Sequence, residues 1–506
     1  MKNLLLLLCW VCMMTTLLTA QPNDSKRDAI WLTGASFEED PTGVQNGNIK
    51  CSFTENGIDI GFEYIPTLRF METCAGISDT TGKMLFYTNG AIIIDSSYQI
   101  MQNSENFNES SFTTYWEEAG WGLTQPQGAL VLPMPNNPNV YYIFYNTGYL
   151  VGGGVLQLHL RYSVVDMGLN NGLGAITEKK QDIAIDSLAY NGLTACRHAN
   201  GRDWWVIMPQ LSGYAYYLFL LTPEGVQDMS MQFIGDELPD TYGQSVFTPD
   251  GRHYIRFHVG GDSPKCPLDI YDFDRCTGAL SNFRRKWIDH LGSIAGLAVS
   301  PNSRFAYCFT GSALHQYDME LDTAIHIADY DGFADPPGTV LAATFYQAQL
   351  APDGKIYACA SNGVRYLHVV NQPNEAGSAC DFVQHGVSLP VYNAQTVPNF
   401  PYFRLGREEG SECDSLFTGI PTIPPYQQFF SIYPNPAQDH LVVENHSQEQ
   451  SATFVLYDVI GRQVLSVVSH NQSVIPIDHL PSGVYLYQFL NPQNQIVAYG
   501  KVSVVR

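Results

Sequence analysis

The sequence predicts an all-β protein: a β-propeller of seven blades, with six or eight as alternatives, followed by a small Ig-like β-sandwich. Three observations predict it. A tight polar turn running straight into an apolar, aromatic-rich strand recurs along most of the chain. Its copies lie about one propeller blade apart. Across 506 residues, aromatics reach 12% and only 15% of residues are charged, an all-β balance rather than a helical or disordered one.

The recurring unit is clearest at Leu350-Ala-Pro-Asp-Gly-Lys-Ile-Tyr-Ala-Cys-Ala360. Pro352 presets φ, Asp353 can bond back to its own backbone, and Gly354 tolerates φ > 0. Ile356, Tyr357 and Cys359 then have the composition of a buried strand. Asn362-Gly363 marks a hairpin, with Tyr366-Leu-His-Val-Val370 as its return strand. The arrangement recurs at Thr248-Pro-Asp-Gly251 and Ser300-Pro-Asn-Ser303, and more loosely at Asp79-Thr-Thr-Gly82, Asn137-Pro-Asn139 and Asn200-Gly201. Aligning Gly82, Asn139, Gly201, Gly251, Ser303 and Gly354 gives intervals of about 57, 62, 50, 52 and 51 residues, close to the blade period of roughly 40–50.

Complete blades are expected at about 72–110, 127–186, 193–236, 243–290, 294–331 and 346–389. Strands within 31–70 and residues 391–405 are expected to share a seventh, because closing the ring removes two exposed sheet edges. Asp95, Asp166, Asp274 and Asp318 fall at strand ends and read as turn residues. Asp269, Asp272 and Asp274 lack the glycine and downstream glutamate of a calcium loop.

Residues 1–20 read as a signal peptide, with Lys2 before an apolar run and Ala20 at the cleavage point. The Cys9-Trp-Val-Cys12 spacing lies inside this segment and so carries no metal or redox reading. No later run of about 20 apolar residues exists, so the mature chain is not expected to span a membrane by a helix. A formal charge of −23 argues against nucleic-acid partners, and Arg284-Arg285-Lys286 reads as a solvated blade edge. Nine cysteines follow the signal. Cys266 and Cys276 flank an extended run and would stand about 30 Å apart, too far to bridge. Cys308 and Cys359 read as small buried hydrophobes, and Cys380 with Cys413 is the one pair to test. No histidine or cysteine pair after the signal has zinc-finger spacing, and no cofactor is implied.

Ile77-Ser-Asp-Thr-Thr-Gly-Lys-Met-Leu-Phe-Tyr-Thr-Asn-Gly90, Tyr162-Ser-Val-Val-Asp-Met167, Arg197-His-Ala-Asn-Gly201, Tyr271-Asp-Phe-Asp-Arg-Cys-Thr-Gly278 and Leu350–Tyr357 carry a resemblance. They look like TolB-like and YVTN-type propellers and, more narrowly, an N-terminal propeller region of exported Bacteroidetes proteins, over about 28–406. Those motifs are structural and bring no catalytic residues with them. Residues 406–428, with Pro421, Pro424 and Pro425, read as an extended connector.

The tail reads Phe430-Ser-Ile-Tyr-Pro-Asn-Pro436, Leu456-Tyr-Asp458 with Gly461, Leu480-Pro-Ser-Gly-Val-Tyr-Leu-Tyr487 and Gly500-Lys-Val-Ser-Val-Val-Arg506. Its short alternating strands suit a small sandwich over 429–506. The whole pattern resembles the type A C-terminal sorting domain of the type IX secretion system. That resemblance implies the secretion machinery as a partner, and export through the periplasm and across the outer membrane for release or surface attachment.

Motifs for chemistry are missing: there is no Gly-x-Ser-x-Gly, no His-Glu-x-x-His and no phosphate-binding loop, while Gly152-Gly-Gly154 reads as a hairpin loop. Two places could face a ligand. Arg197 and His198 precede the Gly201 turn, with bonding between neighbouring blades as the structural alternative. The insertion 107–124 carries Tyr115, Trp116 and Trp121, suited to stacking on sugars or a protein partner, or else to capping the propeller. The reading is therefore a secreted or surface-displayed binding or scaffold module for surface glycans or extracellular proteins. An extracellular hydrolase or lyase acting on polysaccharide or glycoprotein is the alternative, and a structural part of a surface complex is a third.

Overall fold

A computed structural model describes residues 24–35, 47–55, 57–227, 230–237, 242–259, 265–289, 294–414, 430–445, 452–458, 462–491 and 496–505. The expected signal peptide and residues 415–428 of the expected connector lie outside this set. The chain divides into two compact units, Met1–Ser415 and Leu416–Arg506.

Among the described residues, the first unit holds seven antiparallel sheets, each a meander whose strands follow one another in chain order, with one extra strand in the fourth. The turns behave as their residues dictate. Asp250 Oδ1 accepts from the Thr248 hydroxyl (2.6 Å) and the Arg252 amide (3.0 Å), while Gly251 sits at φ +73. In the Ser300 copy, Asn302 takes the aspartate's part and Ser303 adopts φ 64 in place of glycine. Asp166, Asp274 and Asp318 likewise accept amides of the following residues.

Burial runs from the inside out. The strands Gly296–Val299, Phe305–Phe309 and Ala313–Asp318 are wholly buried, whereas Thr323–Asp329 at the rim is half to fully exposed. Inner strands of successive sheets lie side by side, as for Gly243–Phe247, Gly296–Val299 and Ala348–Leu350. Each inner strand runs into its turn, so the turns gather on one face, the turn face. The residues that precede the inner strands gather on the opposite, upper face.

Ring closure differs from the expectation. Residues 391–394 extend the outer strand Phe382–Ala394 of the last sheet, and Ile30–Ala35, Gly47–Thr54 and Gly57–Glu63 form a sheet of their own. The ring closes by packing: Trp31 of the first sheet meets Phe53 and, edge-on at 5.9 Å, Tyr357 of the last. Residues 395–405 form no strand, because their polar groups bond the neighbouring sheets directly. The Asn399 side-chain amide donates to the Ala129 and Leu193 carbonyls (2.9 and 3.0 Å), and its backbone amide donates to Cys74 O (2.8 Å). Arg404 clasps Asp28 with two bonds of 2.7 and 2.8 Å. A cavity of about 40 Å³ among Gln127, Thr194, Val246, Ala348 and Phe400 remains inside, roughly the room of a water molecule.

The expected connector begins on the propeller. The Glu408 amide donates to Ala199 O (2.8 Å), and Cys413 is joined to Cys276 by a disulfide. Gly201 makes this possible, since a Cβ there would stand 2.6 Å from the Arg407 amide nitrogen. The expected partner Cys380 is instead a buried free thiol. The bridge spans 137 residues, so replacing Cys276 and Cys413 together by serine should lower stability by about 2–4 kcal/mol. A urea midpoint equal to the parent's would show that the closing segment holds without the bond. In the Arg284–Lys286 run, expected to be solvated, Arg285 turns inward onto the buried Asp269.

The second unit is a sandwich. Phe430–Tyr433, His440–Asn445 and Gln472–Pro476 form one sheet, and Gln463–Ser469, Ala452–Tyr457, Gly483–Leu490 and Ile496–Val504 the other. Leu441, Val443, Phe454, Leu456, Ile475 and Phe489 fill its own separate core.

Candidate ligand site on the upper face

Arg197 ends the inner strand Thr194–Arg197 and His198 follows it, towards the turn face. Both are buried and engaged by the protein itself. Arg197 pairs with Asp24 at 2.5 Å and stacks on Trp204, its guanidinium carbon 3.7 Å from the ring centre. His198 Nδ1 accepts the Asn200 amide, so the ring is neutral and Nε2 donates to Cys276 O (3.0 Å). Burial lowers its pKa, consistent with that form. A cavity of about 650 Å³ also opens here beside Lys26, Phe53, Glu55, Thr81 and Asp353. Asp353 is already engaged by Tyr357 and Lys355.

The insertion 107–124 carries a helix, α1 (Ser111–Glu118), on the upper face. The Ser110 hydroxyl caps it by accepting the Thr113 amide (3.0 Å), and Gly120 at φ +76 stops it. Asn108 roots it, donating to Gly90 O and accepting from the Thr147 hydroxyl. Beside α1 rises a long hairpin, Val140–Val151 with Gly154–Asp166, of which only Tyr141–Tyr145 pair with the inner strand Ala129–Pro133. Gly152 and Gly153 (φ 58 and 88) form its tip, as the glycine run predicts.

The three aromatics part company. Trp116 packs with Phe112 on Ala91 and Leu123, capping that corner, and its indole N–H is buried without a partner among the described residues. Tyr115 is 54% exposed. Trp121 is half-buried and walls a cleft of about 270 Å³ with Pro66, Arg69, Asn89 and Glu117. Arg69 is held by Gly120 O (2.8 Å), and burial raises the Glu117 carboxyl. An indole sharing a cleft with a cation and an acid suits a polar ligand with an apolar face.

Sequence reasoning missed a second group on this face. Glu72 precedes the inner strand Ala75–Ser78, Tyr190 precedes Thr194–Arg197, Tyr242 precedes Gly243–Phe247, and Tyr346 precedes Ala348–Leu350. The Tyr346 hydroxyl donates to Glu72 Oε1 (3.0 Å), and Oε2 is buried with no partner among the described residues. Burial pushes the Glu72 carboxyl up to about 7, against the opposing Tyr346 bond. The signal was available: Phe70-Met-Glu-Thr-Cys-Ala75 places an acid directly before a strand that must be inner and buried.

In the second unit, the Tyr-Pro-Asn-Pro asparagine ties the end of that unit's first strand, Phe430–Tyr433, to its last, Ile496–Val504. Asn435 Oδ1 accepts the Ser503 amide (3.0 Å), while Ala437 N–H reaches Ser503 O (2.7 Å). The Tyr485 hydroxyl donates to Pro481 O, which accounts for the Pro-Ser-Gly-Val-Tyr run. Residues 431–502 match the family described as Secretion system C-terminal sorting domain. This sorting domain supports export across the outer membrane, to the cell surface or the medium. No helix among the described residues is long and apolar enough to cross a membrane.

No curated protein matches the chain. Solved structures that resemble it include Kuenenia stuttgartiensis hydrazine synthase, at 13% identity and TM-score 0.36, covering 69% of this chain and 95% of that one. Another is the Pseudomonas aeruginosa periplasmic gluconolactonase PpgL, at 10% and 0.38, covering 72% and 97%. A third is an oligogalacturonate lyase in complex with manganese, at 12% and 0.34, covering 65% and 87%.

Proposed function

We propose that the protein is a recognition module, an exported propeller of the Bacteroidetes kind that the type IX machinery carries out by its C-terminal sandwich. It binds a surface glycan or extracellular protein on its upper face. The observation that carries this reading is the Trp121 cleft, where an indole stands beside Arg69 and Glu117. A saccharide ring offers an apolar face for the indole and hydroxyls for the two charged groups. The proposed domain limits are 21–405 for the propeller, 406–428 for the connector and 429–506 for the sorting domain.

A hydrolase or lyase has one observation in its favour, the Glu72 carboxyl poised near neutrality. Glycoside hydrolysis calls for a second carboxylate in range. The Glu72 charge raises the pKa of Tyr190, Tyr242, Tyr346 and Cys359, three phenols and a thiol rather than a second acid. Binding is therefore the better reading.

The test is an array of glycans and matrix proteins probed with the full mature chain, with products read by mass spectrometry. Binding without turnover is expected, and Trp121→Ala should weaken it about tenfold, the worth of one stacked aromatic. Equal binding by Trp121→Ala would remove the cleft from the account, and turnover would favour the enzyme.

A further inference from the structure

We propose that the upper end of the propeller axis binds a primary ammonium group, with Glu72 as its counter-ion and Tyr190 and Tyr242 as its aromatic walls. The inference is independent of the Trp121 cleft. It starts from an imbalance: Glu72 is only 7% exposed, and no lysine, arginine or histidine among the described residues acts on its carboxyl. Buried carboxylates are ordinarily paired with a cation or held by several donors. Here one hydroxyl, from Tyr346, serves Oε1, and Oε2 has no partner among the described residues.

Other buried polar atoms without a partner lie on the segments that bond its backbone. The Glu72 and Thr73 amides both donate to Leu123 O, and the Thr73 hydroxyl donates to Gln125 O (2.7 Å), which fixes Gln125 beside the acid. Both polar atoms of the Gln125 amide are buried without a partner, as is Asn393 Oδ1. Asn393 donates to Thr396 O, and the Thr396 hydroxyl lies 3.4 Å from Glu72 O. A buried carboxylate oxygen without a partner, in a setting where no cation acts on it, asks for an N–H donor.

The rings supply the rest. Tyr190 and Tyr242 meet at 5.3 Å between centroids, 63° apart, and both hydroxyls are electrostatically coupled to Glu72. Tyr242 is 39% exposed and Tyr190 half-buried, so the group meets solvent along the pair. Aromatic faces beside a carboxylate attract an organic cation, and a chain of net charge −23 concentrates cations at its surface.

Linkage gives a signature that a merely structural glutamate would not show. With Glu72 titrating near 7, a cation selects its ionised form, so affinity rises as pH increases through 7. Tyr190, Tyr242, Tyr346 and Cys359 are all pushed upward, so they stay neutral in this range. Binding at pH 6.5 therefore releases a proton.

The experiment is calorimetry on the full mature chain with n-butylammonium, using 1-pentanol as neutral isostere, tetramethylammonium as a cation without N–H, and calcium chloride. Saturable binding of n-butylammonium is expected, with an enthalpy that varies with the buffer's ionisation enthalpy at pH 6.5. Glu72→Gln, which keeps the acceptor for Tyr346, should weaken it at least about tenfold. Tyr242→Ala, at the exposed ring, should weaken it several-fold and serves if Glu72→Gln fails to fold. Glucosamine and Nα-acetyl-lysine amide then distinguish an amino sugar from a lysine side chain as the source. Three results would overturn the proposal: 1-pentanol binding as well as the amine, calcium alone binding, or affinity unchanged in both variants.

Discussion

Removing residues 430–506 should leave the protein folded and in the periplasm, with none at the cell surface. The cut falls between two units whose cores are separate: the sandwich core draws on residues between 430 and 504. Among the described residues, the contacts that close the propeller lie before it, from Trp31 against Tyr357 to Arg404 on Asp28 and the Cys276–Cys413 bridge. Loss of display would then report lost sorting rather than lost folding. The match of residues 431–502 to the sorting-domain family is what makes export the property to lose. Fractionation of cells, with protease applied to intact cells and an assay for the oxidised bridge, separates the outcomes. Truncated protein that is cut by protease outside intact cells would refute the assignment. Truncated protein recovered reduced and insoluble would instead show that the sandwich supports the propeller.

Much of this architecture was legible because it rests on local chemistry. Thr248-Pro-Asp-Gly251 forms the same bonds in the fold that its side chains can form in isolation, so reading turns amounted to counting blades. The same was true of Gly152-Gly153 at a hairpin tip. What depended on the third dimension was hidden. Cys276 finds Cys413 across 137 residues because the closing segment crosses the ring, and no spacing rule reports that path. α1 was hidden too: Ser111–Glu118 is short, and its hold comes from Asn108, Thr147 and the neighbouring hairpin as much as from its own periodicity. For the site, composition pointed to the tryptophans, and one of the two walls a cleft while the other caps a corner. Glu72 escaped notice because an isolated acid among 49 looks ordinary until the inner strands bring three tyrosines round it.

Asp269→Ala should be among the most damaging single changes, destabilising the propeller by roughly 3–5 kcal/mol at pH 7. Asp269 lies in the strand Lys265–Phe273, and its carboxyl is fully buried. Burial alone would raise its pKa. The Arg285 fork overrides that with bonds of 2.6 Å from Nε and 2.9 Å from Nη2, and His258 adds attraction at 3.6 Å. The carboxyl is held down to about 2, below its ordinary 3.8. Truncation would leave the Arg285 guanidinium, itself only 11% exposed, without its buried counter-charge. The depressed pKa also fixes the pH window. Stability from this group is fully present above about 4, where the unfolded carboxyl is ionised as well, and it is lost as pH falls through about 2. The pKa difference corresponds to about 2 kcal/mol, so the parent should lose that much more than Asp269→Ala between pH 6 and pH 2. Urea titrations of both proteins at the two pH values measure it directly. Parallel losses would mean that the Arg285–Asp269 pair is retained for geometry, holding the outer strand Leu280–Asp289 against its neighbour, and adds no pH-dependent stability of its own.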